Sequence, residues 1–318
     1  MWNCCSGFDY NMIEATAIEP TPDGHVADIH GLRYKEPRTK DMAIVFVLFN
    51  PSCSKRIIMN YFYALEKFRL ANMPCFTIEL LFHDNPPEIR DAIHIKCSSY
   101  LFHKERLCRI AEKMIPSSYK KICFMDADIV FDNPTWYERT SNLLRFYDVV
   151  QPFYIASWLN LSYKATTQER LSVIFMDKNK YYNPIFHPGF VWAFKRDWYK
   201  QNGFFDYAIT GSGDTLSVAA WMNVEFKTGY LKPAYVAPYN EFRKNLKLPK
   251  ITATEGKIYH LWHGNKTNRK YVLRHEILND IPDVRNILAT NSSGVFELLN
   301  RDVNAKMKLY FDEREDDL

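Results

Sequence analysis

The sequence predicts an α/β protein, a single large domain built on a mixed, mainly parallel sheet flanked by helices. Three observations carry this prediction. Short apolar runs, Met42 to Phe49, Cys75 to Phe82 and Ile122 to Met125, alternate with longer amphipathic stretches, Lys55 to Ala71 and Ser98 to Met114, and such alternation is how parallel sheets are threaded. The runs are apolar at nearly every residue, as strands covered on both faces are. With 318 residues and 47% hydrophobic content, the chain can bury a full core.

The elements follow in order. Residues 1–40 show little periodicity and are rich in Pro, Asp, Gly and His, which reads as an irregular arm. Met42 to Phe49 is a buried strand, followed by Asn50-Pro51-Ser52 and a helix from Lys55 to Ala71. Cys75 to Phe82 is the second strand and carries Glu79 near its end. Ser98 to Met114 reads as a helix with Lys104, Glu105, Arg106 and Arg109 on its polar side and Leu101, Leu107, Ile110 and Ala111 on the other, stopped by Pro116. The next apolar run ends abruptly in Asp126-Ala127-Asp128. Asp148 to Phe153 is a further strand, Ser162 to Asp177 a mobile or helical connector, and Phe190 to Phe194 a short strand between glycine-rich turns. Ser217 to Met222 begins a short helix, and Asp312 to Leu318 reads as a solvated acidic tail.

Composition excludes some classes. The 41 basic and 37 acidic residues are mixed along the chain, unlike the one-sided clusters of a nucleic-acid binder, so no nucleic-acid partner is expected. No run approaches the ~18 apolar residues of a membrane span, and Met1-Trp2-Asn3-Cys4-Cys5 lacks the basic and apolar regions of a secretory signal. The seven cysteines have no zinc-like spacing, and reduced thiols fit a soluble cytoplasmic protein. Aromatic content is high at 15%; most such rings are core, although a surplus beside a polar cleft also suits stacking on sugar faces.

Two carboxylates, Asp126 and Asp128, stand at the C-terminal end of a buried strand, where open α/β sheets place their ligands. Hard oxygen donors there suit Mg²⁺ or Mn²⁺, and a metal with open positions clamps a diphosphate; the competing account is a simple Asp turn. In His187-Pro188-Gly189-Phe190-Val191-Trp192, a glycine allows close backbone approach and Trp192 is either a cleft wall or core. Asp214, in Gly211-Ser212-Gly213-Asp214-Thr215, is either a helix N-cap or a general base. His260 and His263 precede the basic cluster Lys266, Arg269, Lys270 and Arg274, which suits a diphosphate, and one of the two histidines is a candidate third metal ligand. Lys104 and Arg106 are candidate phosphate contacts or a solvated helix face.

From Met42 to Ile277 the order of these motifs resembles the GT-A glycosyltransferases, nucleotide-sugar-dependent enzymes with an Asp-x-Asp metal motif. The resemblance implies a GT-A, Rossmann-like fold and transfer of a sugar from a nucleotide-diphosphate sugar to a glycan or other hydroxyl acceptor. It implies that Phe49, Asn50 and Glu79 hold the nucleoside, and that Asp126, Asp128 and His260 or His263 hold Mn²⁺ or Mg²⁺ on the diphosphate. Lys104, Arg106, Trp192 and Arg274 join the donor site. The Gly211 to Asp214 loop is similar to the Gly-Gly-Glu-Asp acceptor loop of inverting members, which makes Asp214 the base; a serine and a single carboxylate stand here instead. On this basis residues 41–150 form the nucleotide-sugar half, residues 151–280 the acceptor-binding and metal-completing half of the same domain, and residues 281–318 a C-terminal helical segment and acidic tail. A bacterial or virus-infected host cytoplasm is the implied setting.

Two other readings compete. Asp126 to Val130 also spells the Asp-x-Asp-x-Val of haloacid-dehalogenase-like phosphatases, in which the first Asp attacks phosphorus; that fold begins with this strand, whereas a long α/β stretch precedes it here. A non-catalytic sugar-binding domain on the same fold is the third reading.

Overall fold

The computed structural model describes residues 27–178, 181–265 and 267–317; residues 1–26 of the expected N-terminal arm, and Lys266 of the basic cluster, lie outside the described residues. The chain runs β1 (Met42–Leu48), α1 (Lys55–Leu70), β2 (Cys75–Phe82), β3 (Ile93–Cys97), α2 (Lys104–Met114), β4 (Lys121–Asp126), β5 (Ile129–Phe131), α3 (Trp136–Leu143), β6 (Val149–Gln151), β7 (Ile155–Leu159) and β8 (Thr166–Leu171). It continues through β9 (Val191–Lys195), α4 (Arg196–Gln201), α5 (Gly213–Trp221), α6 (Pro233–Asn245), β10 (Ile251–Ala253), β11 (Lys257–His260), β12 (Leu288–Thr290), β13 (Phe296–Leu298) and α7 (Arg301–Asp312).

The main sheet has the order β10-β6-β9-β4-β1-β2-β3. β1 runs parallel to β2 and β4, β2 to β3, and β6 to β10, while β9 is antiparallel to both its neighbours. All seven residues of β1 are buried, because the sheet is covered twice. On one face Ile44, Phe46 and Leu48 meet Ile57, Tyr61 and Phe68 of α1 and Trp136 of α3. On the other, Val45 and Val47 meet Leu107 and Ala111 of α2 together with Trp192 and Phe194 of β9. Each such side chain contributes roughly 1.5–3 kcal/mol of burial. The predicted mainly parallel α/β sheet is therefore present, and its apolar runs are its central strands.

A second sheet, β5-β11-β7-β8, stands beside the end of β4. It corrects the expected 162–177 connector: Thr166 to Leu171 is an edge strand paired with β7, and a 3₁₀ turn covers Val173–Phe175. The helix expected from Ser98 begins only at Lys104. The preceding backbone is diverted, since the Ser98 N–H donates to Glu297 and the Tyr100 N–H to Asn304. No helix among the described residues is long and apolar enough to cross a membrane.

Candidate active site

The chain leaves β1 for β2 and β3 on one side and returns to β4 on the other. The loops after β1 and β4 therefore diverge, opening a crevice at the carboxyl ends of these strands where α/β sheets bind ligands. Asp126, opposite Val47, ends β4 in this crevice. Asp128 follows, and the small sheet brings a distant segment to it: β11 pairs antiparallel with β5 so that His260 stands opposite Ile129, and the Leu261 N–H donates to the Asp128 carbonyl at 2.9 Å.

This register assembles Asp128, His260 and His263, whose donor atoms lie within 4.8 Å of one another. Asp128 Oδ2 is 3.3 Å from His260 Nε2 and 2.7 Å from His263 Nε2. All three side chains are buried, and Asp128 Oδ1 has no hydrogen-bond partner among the described residues. Burial works to raise the Asp128 carboxyl, but His260, His263 and Arg269 outweigh it and hold the group well below the usual carboxylate range. A buried carboxylate with an unpaired oxygen beside two imidazoles is costly unless a cation completes it, and a two-histidine, one-carboxylate set suits a divalent ion. The residues present fit such an ion, and both late histidines reach Asp128 where one had been expected.

Asp126 faces another way. Its carboxylate is ion-paired with Lys104 at the start of α2, and it is not part of the group around Asp128. Burial raises the Asp126 carboxyl, Asp128 and Asp214 adding to the shift and Lys104 opposing it. Lys104 links two carboxylates, being held charged against burial by Asp126 and Asp214. Lys104, Glu105, Trp192 and Asp214 line one small cavity of about 10 Å³. Asp214 is the second residue of α5, two past the cap position; Ser212 is the N-cap, in the left-handed conformation at φ 69°. Asp214 Oδ1 accepts the Thr215 N–H at 2.7 Å. A Cβ on Gly189 would stand 2.3 Å from Asp214 Oδ2, so the close approach expected at this glycine is to a side chain of the protein itself. Behind Asp214, Glu105 is buried under Gly213, and burial drives its carboxyl up to about 8.

Several predicted donor residues are engaged elsewhere. Glu79 accepts the Glu88 and Ile89 N–H groups at 2.8 and 3.1 Å and stands 3.3 Å from His94, so both its oxygens brace the loop after β2. Arg106 turns away to Asp206 and the Gly294 carbonyl and lies over the Phe296 ring. Trp192 is core: it is 2% exposed, donates to the Pro188 carbonyl and packs edge-on against Trp221. Phe49 joins Phe82, Phe102 and Phe311, and Asn50 closes its own turn through Ser54. Arg274 is buried behind Gly211, stacked between Phe102 and Tyr271.

The acidic tail is exposed as expected at Asp312, Glu313, Glu315 and Asp317, but it docks on the β1–α1 loop through its last two described residues, and there Asp316 is buried. Asp316 is only 3% exposed and accepts from Ser52 Oγ at 2.7 Å and Arg314 at 2.9 Å. Asp317 accepts from Ser54 Oγ and from the Lys55 and Arg56 N–H groups, at the N-terminus of α1. Nothing local marks them, because their partners in the β1–α1 loop are more than 260 residues away in sequence.

No protein-family model and no curated protein matches the chain. Among solved structures it is similar to the catalytic domain of Drosophila β1,4-galactosyltransferase 7 in complex with xylobiose, at 12% identity over 86% of this chain and 99% of that one, with a TM-score of 0.41. A mutant of that Drosophila enzyme with manganese, UDP-Gal and xylobiose gives 13% identity, 85% and 98% coverage and a TM-score of 0.39. Glucosyl-3-phosphoglycerate synthase from Mycobacterium tuberculosis, with Mg²⁺ and UDP, gives 10% identity, 77% and 81% coverage and a TM-score of 0.39.

Proposed function

We propose that the protein is a metal-dependent glycosyltransferase that moves a sugar from a nucleotide-diphosphate sugar to an acceptor hydroxyl in the cytoplasm. The observation that carries this reading is the buried Asp128, with one oxygen unpartnered and His260 and His263 beside it, at the switch point of a mainly parallel sheet. Mn²⁺ or Mg²⁺ held by these three residues would supply Lewis-acid stabilisation of the departing diphosphate. Arg269, which donates to the His263 carbonyl at 2.9 Å, and Lys104 bring positive charge to the same crevice. Fixed cations there favour the transition state, in which charge moves onto the leaving group, over the ground state. Asp214 takes the proton of the acceptor hydroxyl as that oxygen attacks the anomeric carbon from the face opposite the nucleotide, giving inversion. Residues 41–150 then form the donor half and residues 151–280 the acceptor and metal-completing half.

Asp126 serves in this reading as the partner that fixes Lys104. Thermal-shift measurements against nucleotide diphosphates and nucleotide sugars, with and without Mn²⁺, test the reading: stabilisation should require ligand and cation together. Asp128→Ala should abolish both that shift and sugar transfer while leaving the protein folded. Full transfer activity in excess chelator refutes metal dependence, and nucleotide-sugar binding without transfer to any acceptor favours a binding domain.

A further inference from the structure

The tail meets the candidate metal centre at His263. Its ring lies between two carboxylates, with Nε2 2.7 Å from Asp128 Oδ2 and Nδ1 3.6 Å from Asp316 Oδ1, the latter an ion-pair separation longer than a hydrogen bond, and Arg269 Nη2 stands 3.0 Å from Nδ1 and 2.9 Å from Nε2. Resting on the metal reading above, we propose that Asp316 is a positioning residue, which accepts the Nδ1 proton of His263 when a cation is bound, so that Nε2 is presented to that cation beside Asp128.

Three independent features support this role. Asp316 is itself fixed, by Ser52 Oγ on one oxygen and Arg314 on the other. The tail is docked immediately beyond it, since Asp317 takes two backbone N–H groups and the Ser54 hydroxyl at the start of α1, where a carboxylate is favoured by the helix dipole. The backbone has also been shaped for the contact. Gly264 follows His263 at φ 73°, and a Cβ there would stand 2.8 Å from Asp316 Cα and 2.9 Å from the Glu315 carbonyl oxygen. Only a glycine lets the tail lie this close against the histidine corner.

The assignment is to positioning and not to coordination. Asp316 is absent from the group whose donor atoms lie within 4.8 Å of one another, and it faces the nitrogen of His263 that points away from Asp128. A histidine ligand needs a lone pair on one nitrogen, and a carboxylate accepting from the other N–H fixes both the tautomer and the ring orientation. Asp316 is the carboxylate placed nearest to supply that acceptor, and it comes from a part of the chain outside the sheets.

The test is Mn²⁺ titration of the full chain, followed by EPR, for wild type, Asp316→Asn, Ser52→Ala and Asp128→Asn, with pulsed EPR reading ¹⁴N coupling from the histidines. Asp316→Asn should weaken Mn²⁺ binding by roughly 10–100-fold and reduce the ¹⁴N coupling of one histidine. Ser52→Ala, which leaves the carboxylate in place and removes one of its anchors, should weaken binding in the same direction by a smaller factor, and it decides the matter if the Asn variant does not fold. Loss of Mn²⁺ in Asp128→Asn with wild-type affinity and coupling in both tail-site variants overturns the positioning role alone. A wild-type chain that binds no Mn²⁺ overturns the metal reading and this role with it.

Discussion

Glu105→Gln is the substitution whose effect follows most directly from the site's electrostatics. The Glu105 carboxyl is buried beneath Gly213, where a Cβ would meet its Cδ at 2.4 Å, and burial raises it from 4.5 to about 8, with Lys104 opposing and Asp214 and Asp126 adding to the shift. Below pH 4.5 the folded and unfolded chains are both protonated here, and the group has no effect on stability. Between 4.5 and 8 the unfolded chain gives up its proton while the folded chain keeps it, so stability falls as pH rises and levels off above 8. At ~1.36 kcal/mol per pH unit, the accumulated loss at pH 7 is about 3 kcal/mol. Glutamine reproduces the shape of the neutral acid without the titration. Urea unfolding of both proteins at intervals from pH 5 to 8 should therefore give nearly equal stabilities at the acid end and a glutamine variant more stable by about 3 kcal/mol at pH 7. Subtracting one curve from the other cancels every other titrating group. Parallel curves across this window would show that Glu105 is ionised in the folded protein, and the reasoning would fail. The same charge matters to the site, because an ionised Glu105 adds a carboxylate next to Asp214 and Lys104. Wild-type turnover should decline above pH 8 where the glutamine variant does not.

Three further outcomes follow from the geometry. Asp214→Asn should lower kcat by roughly 10²–10⁴-fold with Mn²⁺ and nucleotide binding intact, followed by nucleotide release; a change confined to KM counts against proton abstraction. Gly189→Ala places a methyl 2.3 Å from Asp214 Oδ2, so kcat should fall while Mn²⁺ affinity holds, and an unchanged kcat would mean that this contact does not set the position of Asp214. His103 is fully buried, and burial lowers it from 6.5 to about 3, Arg106 adding to the shift and the Ser99 backbone opposing it. Its folded value lies below its unfolded one, so its contribution to stability is complete above pH 6.5 and is lost as pH falls toward 3. ¹⁵N spectra at pH 5 should find this imidazole neutral, and a folded-state titration near 6.5 would contradict the burial argument.

The central strands were legible because double coverage writes itself into sequence as an unbroken apolar run. β1, β2 and β4 carry that mark, and α1 carries the different one of a single apolar face. β8 does not: Thr166-Thr167-Gln168-Glu169-Arg170-Leu171 is an edge strand with polar residues, and periodicity cannot tell it from a connector. Within the candidate site, residue type singles out Asp128, His260 and His263, which the structure brings together, but the direction of a side chain is invisible in sequence. Lys104 and Arg106 are two residues apart on α2, which at about 100° per residue sets them on opposite sides, and only Lys104 faces the crevice. Asp126 and Asp128 are also two apart, yet β4 ends at the first and β5 begins just after the second. The turn between them sends one carboxylate to α2 and the other to β11.

Asp316 shows where a local reading of the acidic tail misses the environment of one residue. Asp and Glu in a charged run remain in water unless each buried charge finds compensation, and no residue near Asp316 in sequence except Arg314 offers any. The compensation comes from Ser52 and His263, while its exposed neighbour Asp317 is tied down by Ser54 and the first N–H groups of α1. These partners belong to the loop after β1 and to the turn after β11, the two segments that face each other across the switch point. A carboxylate buried there without them would cost several kcal/mol, so docking of the tail and assembly of the crevice are mutually dependent. One of the residues around Asp316, His263, also belongs to the candidate cation group. The arrangement around His263 is thus fixed from three separate parts of the chain, and none of the three specifies it alone.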